Sequence, residues 1–326
     1  MKKLNESALA VGDVILTTSK ELVSKGIRFF TGSDISHAML YVQSHSVIDA
    51  TGDGVHSRNT QRLHYPDDCP IYALRLKAPL PMDKLQKVID FARSHVGTEY
   101  SSRQAAKTAF GGGNTWTRKQ FCSRLVAQAF AKAGVLLVPA PNYCSPQDIK
   151  ESNLLVQVPN VSVDISDTEK AAIDNIPNTQ QMMIEATNIL LEGARKINPG
   201  IQCLSDLDRF LIHSPEHDGD FAALYVSSGY LNLWKIEREK NECQYDSGLF
   251  CAAPFPEEIK KWYCDQLLQG RDEIEMRYRN NYVVYDGYLQ QFPYKTFQLL
   301  RELYKTLLDL HLQRKAVAKE WLSKIT

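Results

Sequence analysis

Apolar and polar positions change period several times over the first 160 residues. Val14–Thr18, His37–Gln43, Ser46–Ala50 and Ile71–Lys77 are rich in β-branched or alternating apolar residues and bounded by turn formers, which predicts strands. Behind Pro81 the pattern lengthens: Leu85, Val88, Ile89, Ala92 and Val96 recur every three or four residues, predicting a helix over Met82–Val96. A glycine-rich break at Gly111–Gly113 follows. Leu125, Val126, Ala129, Phe130 and Ala133 then mark an amphipathic helix over Cys122–Ala133, ended by Gly134. Leu154–Val158 reads as a last short strand.

The polar, weakly patterned stretch Pro159–Asp167 predicts a domain boundary. Beyond it helical spacing dominates, in Met182–Arg195 and in Phe297–Leu322, where Leu300, Leu303, Leu307 and Leu310 form the stripe. The aromatic-rich Tyr282–Tyr288 reads as strand or loop. The expected organisation is an α+β domain over 1–160 followed by a mainly helical domain over 161–326.

Composition narrows the class. With 44% hydrophobic and 23% charged residues the chain can bury a core. No run of 18 apolar residues exists, so no membrane-spanning helix is expected. The N-terminal MKKLNESALAVGDVIL lacks the apolar region of a secretory signal. The expectation is a cytoplasmic protein as synthesised, with any extracellular role requiring a non-classical export route. Residues 1–160 hold 19 Lys and Arg against 13 Asp and Glu, and the remainder 19 against 25. Neither half is basic enough to argue for nucleic acid. The seven cysteines (Cys69, Cys122, Cys144, Cys203, Cys243, Cys251, Cys264) contain no C-x-x-C pair, which argues against structural zinc, and a chain this long needs no disulfide framework.

Chemistry concentrates around Cys122. A thiol opening a helix lies near unpaired backbone N–H groups and the positive end of the helix dipole, both of which favour the thiolate. The same groups can stabilise a developing oxyanion. On its own a cysteine in this position is more often a packing residue. It also needs a base, and His37 opens the strand-like run His-Ala-Met-Leu-Tyr-Val after the turn-forming Thr31–Ser36.

The segments Gly12-Asp13-Val-Ile-Leu, Phe30-Thr-Gly-Ser-x-x-Ser-His37-Ala, Val47-Ile-Asp49-Ala50, Val96-Gly97-x-x-Tyr100, Phe121-Cys122-Ser123-x-Leu-Val and Ser145-Pro146-x-Asp148 occur in a recognisable order. Together they resemble the circularly permuted NlpC-like cysteine hydrolases of the YiiX/YebB type, within the papain-like superfamily. The lecithin:retinol acyltransferase group is a more distant relative. The resemblance spans roughly residues 10–158. It implies a permuted papain-like domain with an antiparallel sheet and packed helices. It also implies Cys122 as nucleophile, His37 as general base and Asp49 as the residue that orients the imidazole, with His45 and His56 as rival orienters. Tyr100 and Ser123 are candidates for lining the cleft or donating to the oxyanion. No metal or organic cofactor is implied. The implied reaction is acyl transfer through a thioester on a peptide or cell-wall amide bond. Delivery as a secreted effector is one setting, with the helical half serving an immunity or export partner or specificity. An intracellular lipid or thioester acyl hydrolase or acyltransferase, and a binding module that keeps the fold without turnover, are the alternatives.

One geometric consequence is testable in coordinates. Side chains alternate faces along a strand, so His37 and Asp49 share a face only if their hairpin loop holds an odd number of residues. A three-residue loop near Gln43–His45 satisfies this, and a two-residue turn at Ser44–His45 does not.

Overall fold

Strand pairing begins at residue 2. The computed structural model describes residues 1–18, 34–43, 45–100, 120–268 and 272–325. Numbered in chain order, its strands are β1 Lys2–Leu4, β2 Val14–Thr17, β3 His37–Gln43, β4 Ser46–Thr51, β5 Gly54–Asn59, β6 Tyr72–Leu76, β7 Leu155–Gln157 and β8 Ser162–Asp164. Six of them form one antiparallel sheet in the order β5-β4-β3-β2-β6-β7, while β1 pairs with β8.

Both faces of this sheet are apolar. Val14, Leu16, Ala38, Leu40, Ile48, Ala50 and Leu74 point to one side, where they meet two helices, α1 Met82–Ser94 and α2 Cys122–Lys132. Ile15, Met39, Tyr41, Val47 and Ala73 point to the other and are covered by Leu4, Tyr65, Val158 and Val161. Period-two alternation therefore distributes residues between two cores, which explains why the strands read as nearly continuous apolar runs.

The helix over Met82–Val96 ends earlier than its apolar pattern, at Ser94, and Gly97 takes φ +89° two residues beyond His95. The expected break at Gly111–Gly113 lies outside the described residues. Helix α3, Pro146–Lys150, opens on a capping box: Ser145 Oγ accepts from Asp148 N–H and the Asp148 carboxylate accepts from Ser145 N–H.

The expected boundary at 160 is not where the chain divides. The two compact units are Met1–Leu207 and Asp208–Thr326. Part of the stretch expected to be linker is β8, held to β1 by the register Lys3↔Val163. Two further helices of the first unit, α4 Asp167–Asp174 and α5 Thr179–Ile197, follow it. Helix α5 is tied to β5 by Gln180 Nε2 donating to Ser57 Oγ (3.1 Å) and to the turn after α1 by Arg195 Nη2 donating to Gly97 O (2.7 Å). A polar sequence conceals strand β8 because two of its three side chains face solvent.

The second unit is helical throughout its described residues. After α6, Leu204–His213, which crosses the division, come α7 Asp218–Ser227, α8 Leu233–Lys240, α9 Ser247–Ala252, α10 Glu257–Leu268, α11 Glu273–Gln291 and α12 Lys295–Ile325, with short 3-10 turns between. Tyr282–Tyr288, expected as strand or loop, lies inside α11. Tyr278, Tyr282, Tyr285 and Tyr288 recur every three or four residues, and Tyr285 stacks on Tyr304 of α12 at 5.6 Å between ring centroids. The aromatic bulk suggested a strand, but the period is helical. His217 and Asp218 serve the packing of this unit. His217 Nδ1 pairs with Asp220, and the Asp218 carboxylate accepts from Lys295 N–H (2.7 Å) and Thr296 N–H (2.9 Å), capping α12.

Beside this aromatic stack sits Asp208. Its Oδ2 accepts from Tyr285 Oη–H at 2.8 Å, while Oδ1 is buried without a partner. Burial raises its pKa from 3.8 to about 7, and the Tyr285 hydrogen bond offsets only part of that rise. An acid whose pKa rises on folding leaves stability intact below its unfolded value and erodes it as pH climbs through the folded one. The second unit should therefore lose roughly 2–4 kcal/mol between about pH 4 and pH 8. Calorimetry of D208N should show that loss largely abolished; an unchanged pH dependence would refute the assignment.

Candidate active site

Residues 37, 49 and 122 meet at one end of the sheet. His37 is the first residue of β3, Asp49 lies within β4, and Cys122 is the first residue of α2, whose N-cap residue Phe121 makes no side-chain capping bond. All three are buried, at 8%, 2% and 3% exposure. His37 Nε2–H donates to Asp49 Oδ2 at 2.9 Å. The same ring interacts with the Cys122 thiol, whose Sγ lies 3.9 Å from the carbonyl oxygen of Ser36. With Nε2 committed to the carboxylate, Nδ1 is the ring atom left for sulfur.

Burial alone would lower the pKa of His37. The hydrogen bond to Asp49 and the interaction with Cys122 outweigh it and raise the pKa to about 10. Asp49 moves the other way: burial would raise it, but His37 and Arg58 together hold it below the usual carboxylate range. The pair is thus charged at neutral pH, a cationic ring held between a carboxylate and a thiol.

The hairpin that brings His37 to Asp49 solves the parity problem in an unexpected way. Its last pair is Gln43↔Ser46, leaving only two residues between the strands, the arrangement that would point the side chains oppositely. A register shift between Tyr41 and Gln43 inserts one extra residue on β3, so the pairs beyond it are Tyr41↔Val47 and Leu40↔Ile48. That register sets Asp49 across from Met39, on the face His37 shares. The turn needs a left-handed residue, supplied by His45 at φ 60°.

The rival orienters are occupied elsewhere. His45 Nδ1 pairs with Glu6, which also accepts from Thr60 Oγ1. His56 lies opposite Asp49 in the β4–β5 register, and its Nε2 bonds the Asp53 carbonyl at 2.9 Å. Ser123 is fully engaged as well: its hydroxyl donates to Cys144 O at 2.6 Å, tying α2 to the chain before α3. In this arrangement that proton is not offered to a substrate. Tyr100 packs against the core cluster containing Cys122 and forms a parallel bridge with Gln120.

Sequence reasoning did not single out Arg58. Its Nε donates to Asp49 Oδ1 at 2.7 Å, so the carboxylate is divided between two cations. The signal was the alternation His56-x-Arg58 on β5, which sets both residues on the face of Asp49. It went unread because β5 itself was not expected.

A second charged cluster lies in the other unit, where Asp272, Glu275 and His311 bring candidate ligand atoms within 4.8 Å of one another. Lys315 Nζ sits 2.9 Å from Asp272 and 2.8 Å from Glu275, and Arg279 adds a second cation, paired with Glu275. This is an ion-pair network joining α11 to α12.

A family model described as permuted papain-like amidase enzyme, YaeF/YiiX, C92 family, matches residues 8–187, more than half the chain. The chain belongs to this family. Its first unit is accordingly a permuted papain-like domain, an antiparallel sheet with packed helices, and a helical unit follows. Among curated proteins it is similar to the probable lipoprotein peptidase YaeF of Escherichia coli strain K12, at 26% identity over 183 residues. That match takes in 46% of this chain and 65% of the relative, so the chain covers less than two thirds of it. A crystal structure of YiiX from Escherichia coli O157:H7, described as a metalloprotein, is matched at 21% identity with a TM-score of 0.37. That match covers 45% of this chain and 95% of the other.

Proposed function

We propose that the first unit is a cysteine amidase or peptidase in which Cys122 is the nucleophile, His37 its acid and base, and Asp49 the group that holds the ring. The observation that carries this is the His37 imidazole bonded to a buried carboxylate while interacting with a thiol at a helix N-terminus. The imidazolium stabilises the thiolate beside it, the reactive form of a cysteine. The thiolate attacks the amide carbonyl, and the oxyanion forms near the first N–H groups of α2. His37 then gives its proton to the departing amine as the C–N bond breaks, leaving a thioester on Cys122. Water, deprotonated by His37, attacks that thioester, and its collapse releases the acid and restores the thiolate–imidazolium pair.

The designation of YaeF as a probable peptidase supports a peptide bond as the target. We favour a cell-wall peptide, delivered as a secreted effector, over a lipid acyl group. The test compares wild type with C122A on purified peptidoglycan and on an acyl-thioester probe. Release of muropeptides by wild type alone is the expected result. Turnover of the thioester probe without muropeptide release selects the lipid reading. If Cys122 reacts with iodoacetamide no faster than the other six thiols, the cysteine mechanism is overturned.

A further inference from the structure

The carboxylate of Asp49 has two oxygens and two cationic partners, one on each. Oδ2 faces the His37 ring and Oδ1 accepts from Arg58 Nε. The guanidinium is itself fixed from behind, with Nη2 donating to Thr51 Oγ1 at 2.6 Å and to Asp53 Oδ1 at 2.7 Å. The anchoring groups come from β4 and the β4–β5 turn, and the arginine from β5. In the register Val47↔Arg58 and Asp49↔His56, Arg58 lies diagonal to Asp49 on one face, within reach of a long side chain.

We propose that Arg58 is a positioning residue for the Cys122 reaction. By binding Oδ1 it fixes the rotation of the short Asp49 side chain so that Oδ2 alone meets His37, and its charge moderates the hold of Asp49 on the ring. This rests on the cysteine-amidase reading of the same site.

An aspartate side chain has two torsions, and only some settings put an oxygen in line with a ring nitrogen across a hairpin. A planar guanidinium holding three acceptors removes the others. Electrostatics act alongside. Asp49 faces His37 from β3, Arg58 and His56 from β5, and the buried Tyr65 hydroxyl; Cys122 of α2 faces His37. Burial lowers the pKa of His56 and keeps that ring neutral, and burial keeps Tyr65 protonated. Arg58 is then the permanent cation next to the carboxylate, competing with the imidazolium for the same negative charge.

The experiment measures the pH dependence of site-resolved iodoacetamide alkylation of Cys122 in the full chain. Removing the competing cation in R58M strengthens the Asp49–His37 attraction, so the step at which the ring loses its proton should move up by about one pH unit. R58K keeps the charge without the fork. Its profile should stay in place while the plateau rate falls roughly 3- to 10-fold. In a D49N background R58M should produce no further shift, because Arg58 acts through Asp49. Near-UV circular dichroism establishes that each variant is folded; should R58M not fold, the R58K plateau decides. A profile for R58M identical to wild type, an equal shift in the D49N background, or an R58K plateau equal to wild type overturns the proposal. If wild-type Cys122 shows no selective alkylation, it is the underlying cysteine mechanism that fails.

Discussion

H37A should slow alkylation of Cys122 and amide hydrolysis by about 10³-fold or more while leaving the domain folded. In the proposed mechanism the imidazole is the acid and base of both half-reactions, and removing such a group costs at least a general base's contribution of roughly 10²–10⁴. The fold should survive because Asp49 keeps Arg58 as a partner, so no buried carboxylate is left bare. The pH dependence carries a sign. The ring's proton is held up to about pH 10, so the stabilisation it gives is complete below its ordinary value of 6.5 and is lost as pH rises toward 10. Wild type should therefore exceed H37A in stability by more at pH 6 than at pH 9. Alkylation kinetics and melting curves at both values check this, and an H37A enzyme within tenfold of wild type would remove His37 from the mechanism.

G97V should unfold the first unit more readily by roughly 3 kcal/mol, lowering its melting temperature by about 10 °C. Gly97 has φ +89°, where an L side chain is strained by about 1–2 kcal/mol. A Cβ there would stand 2.2 Å from Leu191 Cδ1 and 3.5 Å from Thr187 Cγ2. Leu191 is wholly buried, so the leucine cannot swing into solvent to make room. The backbone around it is committed on both sides, since Gly97 N–H donates to Val55 O and its carbonyl accepts from Arg195. A melting temperature within two degrees of wild type would show that the helix yields more easily than this packing implies.

Gly97 also shows what the sequence could and could not disclose. Its motif was visible, but its purpose is a close approach by α5, which the expected boundary at 160 had assigned to the other domain. Strands β2, β3, β4 and β6 were legible because their residues are apolar and β-branched. Strand β5, Gly-Val-His-Ser-Arg-Asn, was not, because most of it is polar, with His56 and Arg58 bonded to Asp53 and Arg58 to Asp49. The residues that serve the charge network are those that spoil the hydrophobic pattern. Of the candidate site, Cys122, His37 and Asp49 could be named from motif order. The division of Asp49 between two cations could not, since it depends on a diagonal pairing that only the register reveals. The partner of Ser123 was hidden for a related reason: its acceptor, Cys144 O, lies 21 residues away in the chain.

The extra residue between Tyr41 and Gln43 has a bearing on how such proteins diverge. In most two-layered sheets a slip by one position would expose greasy side chains and be rejected on stability alone. Here either orientation finds an oily neighbour, so solubility barely polices the alignment of that ribbon. Loss of a single codon at this corner is thus a short route from a working hydrolase to an inert scaffold of the same shape.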